Sequence, residues 1–236
     1  MSNAITESDR LAYLDALGIT PWRSRVGEDD SDPDELAESA PETAVDAALL
    51  TDWAGLQQAV ATCTRCDLHK SRTQTVFGVG SSNADLLVIG EAPGAEEDRR
   101  GEPFVGKAGQ LLDEMLRAIG LDRKVVYIAN ILKCRPPGNR DPQDSEAASC
   151  RRYLDAQINL LQPKVILAVG RIAAQQLLGN SLPLGRMRGQ RLELASANIP
   201  VIVTYHPAYL LRTPADKRKA WHDLCSTRAL LRELTT

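Results

Sequence analysis

The chain has 236 residues, 43% hydrophobic and 25% charged, ordinary values for a soluble globular protein. No apolar run reaches the roughly 18 residues of a membrane span, and MSNAITESDR has no basic cluster followed by an apolar core. The expectation is therefore a cytoplasmic protein without membrane anchor or secretory leader. The net charge of −3 conceals a division: residues 1–53 hold 13 acidic side chains against three arginines, net −10, which leaves +7 for the remainder. That asymmetry predicts an acidic tail joined to a domain able to face an anion.

In chain order, LAYLDALGITPW (11–22) sets Leu11, Leu14 and Leu17 at helical spacing before Gly18, a natural stop. Residues 1–22 are read as a short apolar segment that either docks on a protein partner or folds back on the rest of the chain. Residues 23–52 form an acidic flexible linker: EDDSDPDELAESAPETAVDAA (28–48) has too little apolar surface to offset its ordering entropy. Residues 53–236 are expected to be one globular domain. Near its start stands the pair Cys63-x2-Cys66.

Four nearly continuous apolar runs follow, at Leu86–Gly90, Val125–Asn130, Val165–Gly170 and Val201–Tyr205. Strands buried on both faces read this way. Helical patterns over Ala108–Ile119, Gln143–Leu161 and Arg171–Leu178 separate most of them, and a last helix is predicted from about Ala215 to Glu233. The alternation predicts a three-layer α/β/α fold around a central four-stranded parallel sheet.

Open parallel sheets bind ligands at the carboxyl ends of their strands. The first strand runs into Gly90-Glu91-Ala92-Pro93-Gly94, the second ends in Asn130, and the fourth in Tyr205-His206-Pro207. A carboxylate, an amide and an imidazole are thus predicted on one rim. Singly, each has a structural reading as a cap, a turn partner or a packed ring. Gly90 and Gly94 let the backbone approach a ligand. Phe104, just beyond, is either core or the ring on which a flat base stacks.

Five cysteines without a leader argue against disulfides and for metal or redox chemistry. Cys63, Cys66, Cys134 and Cys150 make a four-thiolate set suited to structural zinc or an iron–sulfur cluster, and spacing alone does not choose between them. His69 could replace one thiolate in a zinc site. Cys225 is expected to be an unligated core residue.

Together GEAPGAEEDRRGEPFVGKAGQLL (90–112), NILKCRPPGNRDP (130–142), TYHPAYLLR (204–212) and the ordered cysteines resemble the family 4 uracil-DNA glycosylases, over roughly Cys63 to Trp221. The resemblance implies removal of uracil from DNA by hydrolysis of the N-glycosidic bond, with a 4Fe–4S cluster on Cys63, Cys66, Cys134 and Cys150. The cluster would be structural, and the chemistry would need no metal. The resemblance also implies a uracil pocket of Gly90, Ala92, Gly94, Phe104, Asn130 and His206. Phe104 would stack on the base, Asn130 would read its O4 and N3–H edge, His206 would donate to O2, and Glu91 would orient or activate the attacking water. Glu96, Glu97 and Asp98 are candidates to share that last role.

Candidate DNA contacts are Lys107, Arg135, Arg140, Arg186, Arg188 and Arg212, with Tyr209, Leu210 and Leu211 as a wedge or, alternatively, the start of a buried helix. The partner is then uracil-containing DNA, the protein is expected to be a monomer, and residues 11–22 would address a replication or repair protein.

Ala208 stands where the family often has serine. A relative that cross-links to uracil-DNA has glutamine at the position of Ala92 and a histidine-bearing basic insertion after FVG, and this chain has neither. Two other readings stay open, a non-catalytic or cross-linking uracil-DNA binder and a cluster-containing replication or repair partner.

Overall fold

The computed structural model describes residue 16 and residues 52–235. The expectations for residues 1–22 and for the linker up to Thr51 therefore lie outside the described residues, Ala16 apart. From residue 52 onward, Asp52 opens a helix, α1 (Trp53–Ala61), by accepting from the Gly55 amide at 2.8 Å. A two-residue strand β1 (Val79–Gly80) precedes β2 (Leu86–Gly90). Then come α2 (Ala95–Arg100), α3 (Lys107–Ala118), β3 (Tyr127–Asn130), α4 (Asp144–Leu161) and β4 (Val165–Val169). The chain continues through α5 (Arg171–Leu178), α6 (Leu184–Met187), β5 (Leu192–Leu194), β6 (Ile199–Thr204), α7 (Pro207–Arg212) and α8 (Lys217–Thr235).

The four expected strands form the parallel centre of a sheet ordered β1-β3-β2-β4-β6-β5, and a short antiparallel strand extends each edge. Neither edge strand is legible in the sequence, because two or three residues carry no periodicity. β3 begins at Tyr127, two residues later than its apolar run, since Val125 lies in the preceding turn and is half exposed. The last helix starts at Lys217 because Pro214–Asp216 forms a 3₁₀ turn first.

Every residue of β2 and β4 is buried, and their side chains divide between two cores. Leu87 and Ile89 join Leu56 of α1 and Leu154 of α4 on one face, while Leu86 and Val88 join Leu112 of α3 and Leu224 of α8 on the other. Each such side chain contributes about 1.5–3 kcal/mol by leaving water. Three layers result. The chain leaves β2 for β3 on one side and returns to β4 on the other, so a crevice opens at the carboxyl ends of β2 and β4. Among the described residues no helix is long and apolar enough to cross a membrane.

Candidate functional site

The crevice at the strand ends is a cavity of about 530 Å³. Glu91 and Ala92 line it from the turn after β2, Asn130 from the end of β3, Phe104 from the turn before α3, and His206 from the start of α7. Glu91, Phe104, Asn130 and His206, separated by 13 to 115 positions in sequence, thus line one cavity at the strand ends.

Asn130 is almost wholly buried, and its side-chain Oδ1 has no hydrogen-bond partner. An unsatisfied buried acceptor costs about 1–3 kcal/mol. The floor beneath it must be glycine: a Cβ on Gly90 would lie 2.4 Å from that Oδ1 and 2.6 Å from Phe104 Cζ. Phe104 itself is held at φ 55°, a left-handed conformation unusual for a bulky residue. Three devices fix it. Arg123 donates to its carbonyl at 3.0 Å while pairing with Asp113. Glu97 accepts from the amides of Val105 and Gly106. Gly109 lets α3 approach, since a Cβ there would meet the Phe104 carbonyl at 1.6 Å.

Glu97 also accepts from the Gly94 amide at 3.1 Å, so one carboxylate ties the turn after β2 to the Phe104 turn. By sequence alone Glu97 stands only as a candidate to share the water-positioning role of Glu91. Its spacing from Gly94, three residues before it at a helix start, carries the signal of a capping carboxylate. Glu96 pairs with Arg99 at the surface and Asp98 accepts from the Thr73 amide. The Glu91 carboxylate, by contrast, faces the cavity with no hydrogen-bond partner among the described residues. Burial, reinforced by the nearby Asp141 and opposed by Arg171, raises its carboxyl to about 7.

His206 is neutral for a clear reason. Burial, and then the charge of Arg212, push its imidazole down to about 4, against a smaller opposing effect of Glu97. Its Nδ1 accepts from the Ala208 amide at 3.1 Å, which assigns the ring hydrogen to Nε2. The ring lies tilted against Phe104, with centroids 5.7 Å apart. Behind it sits Gly170 at φ 106°, where a Cβ would come within 3.2 Å of His206 Cβ.

The expected DNA-facing residues divide. Lys107, Arg186 and Arg212 are exposed. Arg135 donates to Asn139 and Arg140 pairs with Glu146. Arg188 is turned inward: it bonds Asp223 with two nitrogens and stacks over Tyr205, which stacks on Tyr209. Its role in this structure is to compensate a buried carboxylate. Within the expected wedge, Leu210 is buried in the core beside α3 and Leu211 is exposed. Leu210 therefore follows the buried-helix alternative, because α7 is amphipathic.

The four cysteines of the ordered set line one small cavity, together with Lys133 and Tyr153. Arg72 donates to Cys134 Sγ at 3.0 Å and the Lys133 amide to Cys150 Sγ at 3.3 Å. His69 does not line this cavity; its Nδ1 sits 2.8 Å from the Cys66 carbonyl. Among the described residues no group of three His, Cys, Asp or Glu is disposed to hold a metal ion. Cys225, expected in the core, is exposed on α8.

The carboxyl rim of the parallel strands thus carries a carboxylate, an amide, an aromatic ring and an imidazole. Residues 77–225 match the family model of the uracil DNA glycosylase superfamily, and the chain belongs to this family. Several of its relatives are Type-4 uracil-DNA glycosylases. The chain is 46% identical over 161 residues to the Type-4 uracil-DNA glycosylase of Archaeoglobus fulgidus, covering 66% of this chain and 81% of that one. It is 42% identical over 163 residues to the Type-4 uracil-DNA glycosylase of Thermotoga maritima, covering 69% and 84%. Similarity to the Type-5 uracil-DNA glycosylase of Thermus thermophilus is 35% over 120 residues, covering 44% and 54%.

Proposed function

We propose that this chain is a uracil-DNA glycosylase that hydrolyses the N-glycosidic bond of deoxyuridine in DNA, releasing uracil and leaving an abasic site. The observation that carries this reading is the buried, unpartnered Asn130 Oδ1 set between Gly90 and Phe104. An N–H must come to that oxygen, and uracil N3–H supplies one while the amide NH₂ donates to O4. Cytosine presents the reverse pattern and leaves both groups unpaired. Phe104 supplies the face on which the extruded base stacks.

Chemistry follows from the charges. As the bond from C1′ to the base breaks, electrons move onto uracil and its O2 accepts from His206 Nε2–H. Glu91, unpaired and with a raised pKa, holds the water that adds to C1′ and takes its proton. Release of free uracil from a labelled oligonucleotide tests the reading. A tight complex without free uracil would favour a binding protein instead. Asn130→Asp should weaken uracil excision and narrow its preference over cytosine, measured as the ratio of the two rates.

The four thiols would hold a 4Fe–4S cluster. An all-sulfur set arranged around a cavity suits a group that gives each thiolate its own iron. A single tetrahedral zinc would draw every sulfur to about 2.3 Å from one point. The cluster would supply a rigid cross-link among the turn after α1, the turn after β3 and α4. Anaerobic protein should be brown, with about four irons and four sulfides per chain; stoichiometric zinc without iron would overturn this. Cys134→Ser or Cys150→Ser should sharply reduce folded protein, with Cys225→Ser close to silent in the same expression assay.

A further inference from the structure

Lys133 is the largest fully buried side chain among the described residues, 1% exposed. Its Nζ donates to the Asn130 carbonyl at 2.9 Å and to Gln157 Oε1 at 2.6 Å. Gln157 is itself fully buried and is fixed in turn by donating to the Phe77 carbonyl and toward the Tyr127 hydroxyl. These partners are neutral oxygens. A buried ammonium needs more than that, since removing an ion from water costs several kcal/mol unless an opposite charge compensates. Lys133 lines the same small cavity as Cys63, Cys66, Cys134 and Cys150, whose sulfurs become the opposite charge there once they are ligated as thiolates.

We propose that Lys133 links the cysteine-bound group to the base-reading edge of the pocket: its ammonium is the buried counter-charge of the four thiolates, and its bond to the Asn130 carbonyl fixes the strand end that presents the Asn130 amide. The inference rests on the cluster reading above. One residue spans both sites, because its backbone amide meets Cys150 Sγ while its side chain curls back three residues to Asn130. Lys133 is a positioning residue for uracil selection, and it couples the pocket's geometry to the state of the cysteine site. A four-thiolate cluster carries net negative charge, so a cation beside it favours the reduced state.

The test uses full-length, iron-loaded protein. Lys133→Met keeps an unbranched side chain, one atom shorter, and removes its charge and donor. Its iron content should stay near that of the unsubstituted protein. The cluster's midpoint potential should move to more negative values, and uracil excision should fall about tenfold with a reduced preference for uracil over cytosine. Should Lys133→Met fail to fold, Gln157→Glu places a carboxylate against the ammonium, and its midpoint should also move negative. An iron-loaded variant with unchanged potential overturns the counter-charge, and unchanged excision and base preference overturn the positioning role. Absence of iron from the unsubstituted protein would instead overturn the cluster reading itself.

Discussion

Glu91→Gln should lower single-turnover uracil release by about 10²-fold or more, with affinity for uracil-containing DNA largely kept. The substitution preserves shape and the capacity to hold water, and removes the ability to take a proton from it. The structure favours Glu91 over its acidic neighbours because each of those is occupied: Glu96 by Arg99, Glu97 by three backbone amides, Asp98 by the Thr73 amide. A pH profile sharpens the test. With its carboxyl raised to about 7, Glu91 is protonated below neutrality, so the rate should rise through pH 7 and then level, and Glu91→Gln should abolish that rise.

Stability should move the opposite way. Between the ordinary carboxylate value and about 7 the folded protein holds a proton that the unfolded chain has lost, so ionised Glu91 costs stability as pH rises through this window. Glu91→Gln should therefore melt higher than the unsubstituted protein at pH 8, with little difference near pH 4. Full activity in Glu91→Gln alongside an inactive Glu97→Gln would reassign the base.

Much of this site was legible before the fold because strand ends are. Gly90, Asn130 and His206 each close an apolar run, and a parallel sheet leaves such residues on one rim whatever the helices between them do. The four cysteines were legible for the same reason, as a spacing that the fold needed only to bring together. Less visible were the contacts that depend on side chains reaching across turns. Nothing in the order of residues says that Arg123 holds the Phe104 carbonyl from 19 positions away, or that Arg188 folds inward onto Asp223 instead of facing DNA. Lys133 is the strongest case. Lysine is almost never fully buried, so a sequence reading assigns it to the surface, and only its neighbours Asn130, Gln157 and the cysteines explain why it is not there.

His206→Ala should cost about 10²- to 10³-fold in single-turnover rate, the loss that follows removal of one donor from a site of developing negative charge. The effect should fall on the rate of bond cleavage far more than on binding, because uracil O2 is a modest acceptor in the intact nucleotide and a strong one once the glycosidic electrons reach the base. The donor is the neutral ring. With its pKa near 4 the imidazole stays uncharged across the working range, and the Ala208 amide holds the hydrogen on Nε2. A charged donor would add a second titration near 6.5 to the pH profile; a neutral one leaves the Glu91 limb alone between pH 5 and 8. Measuring Glu91→Gln over that range isolates the point. A flat profile supports the neutral donor, whereas a rate that still falls above pH 6 would show that His206 acts in its protonated form.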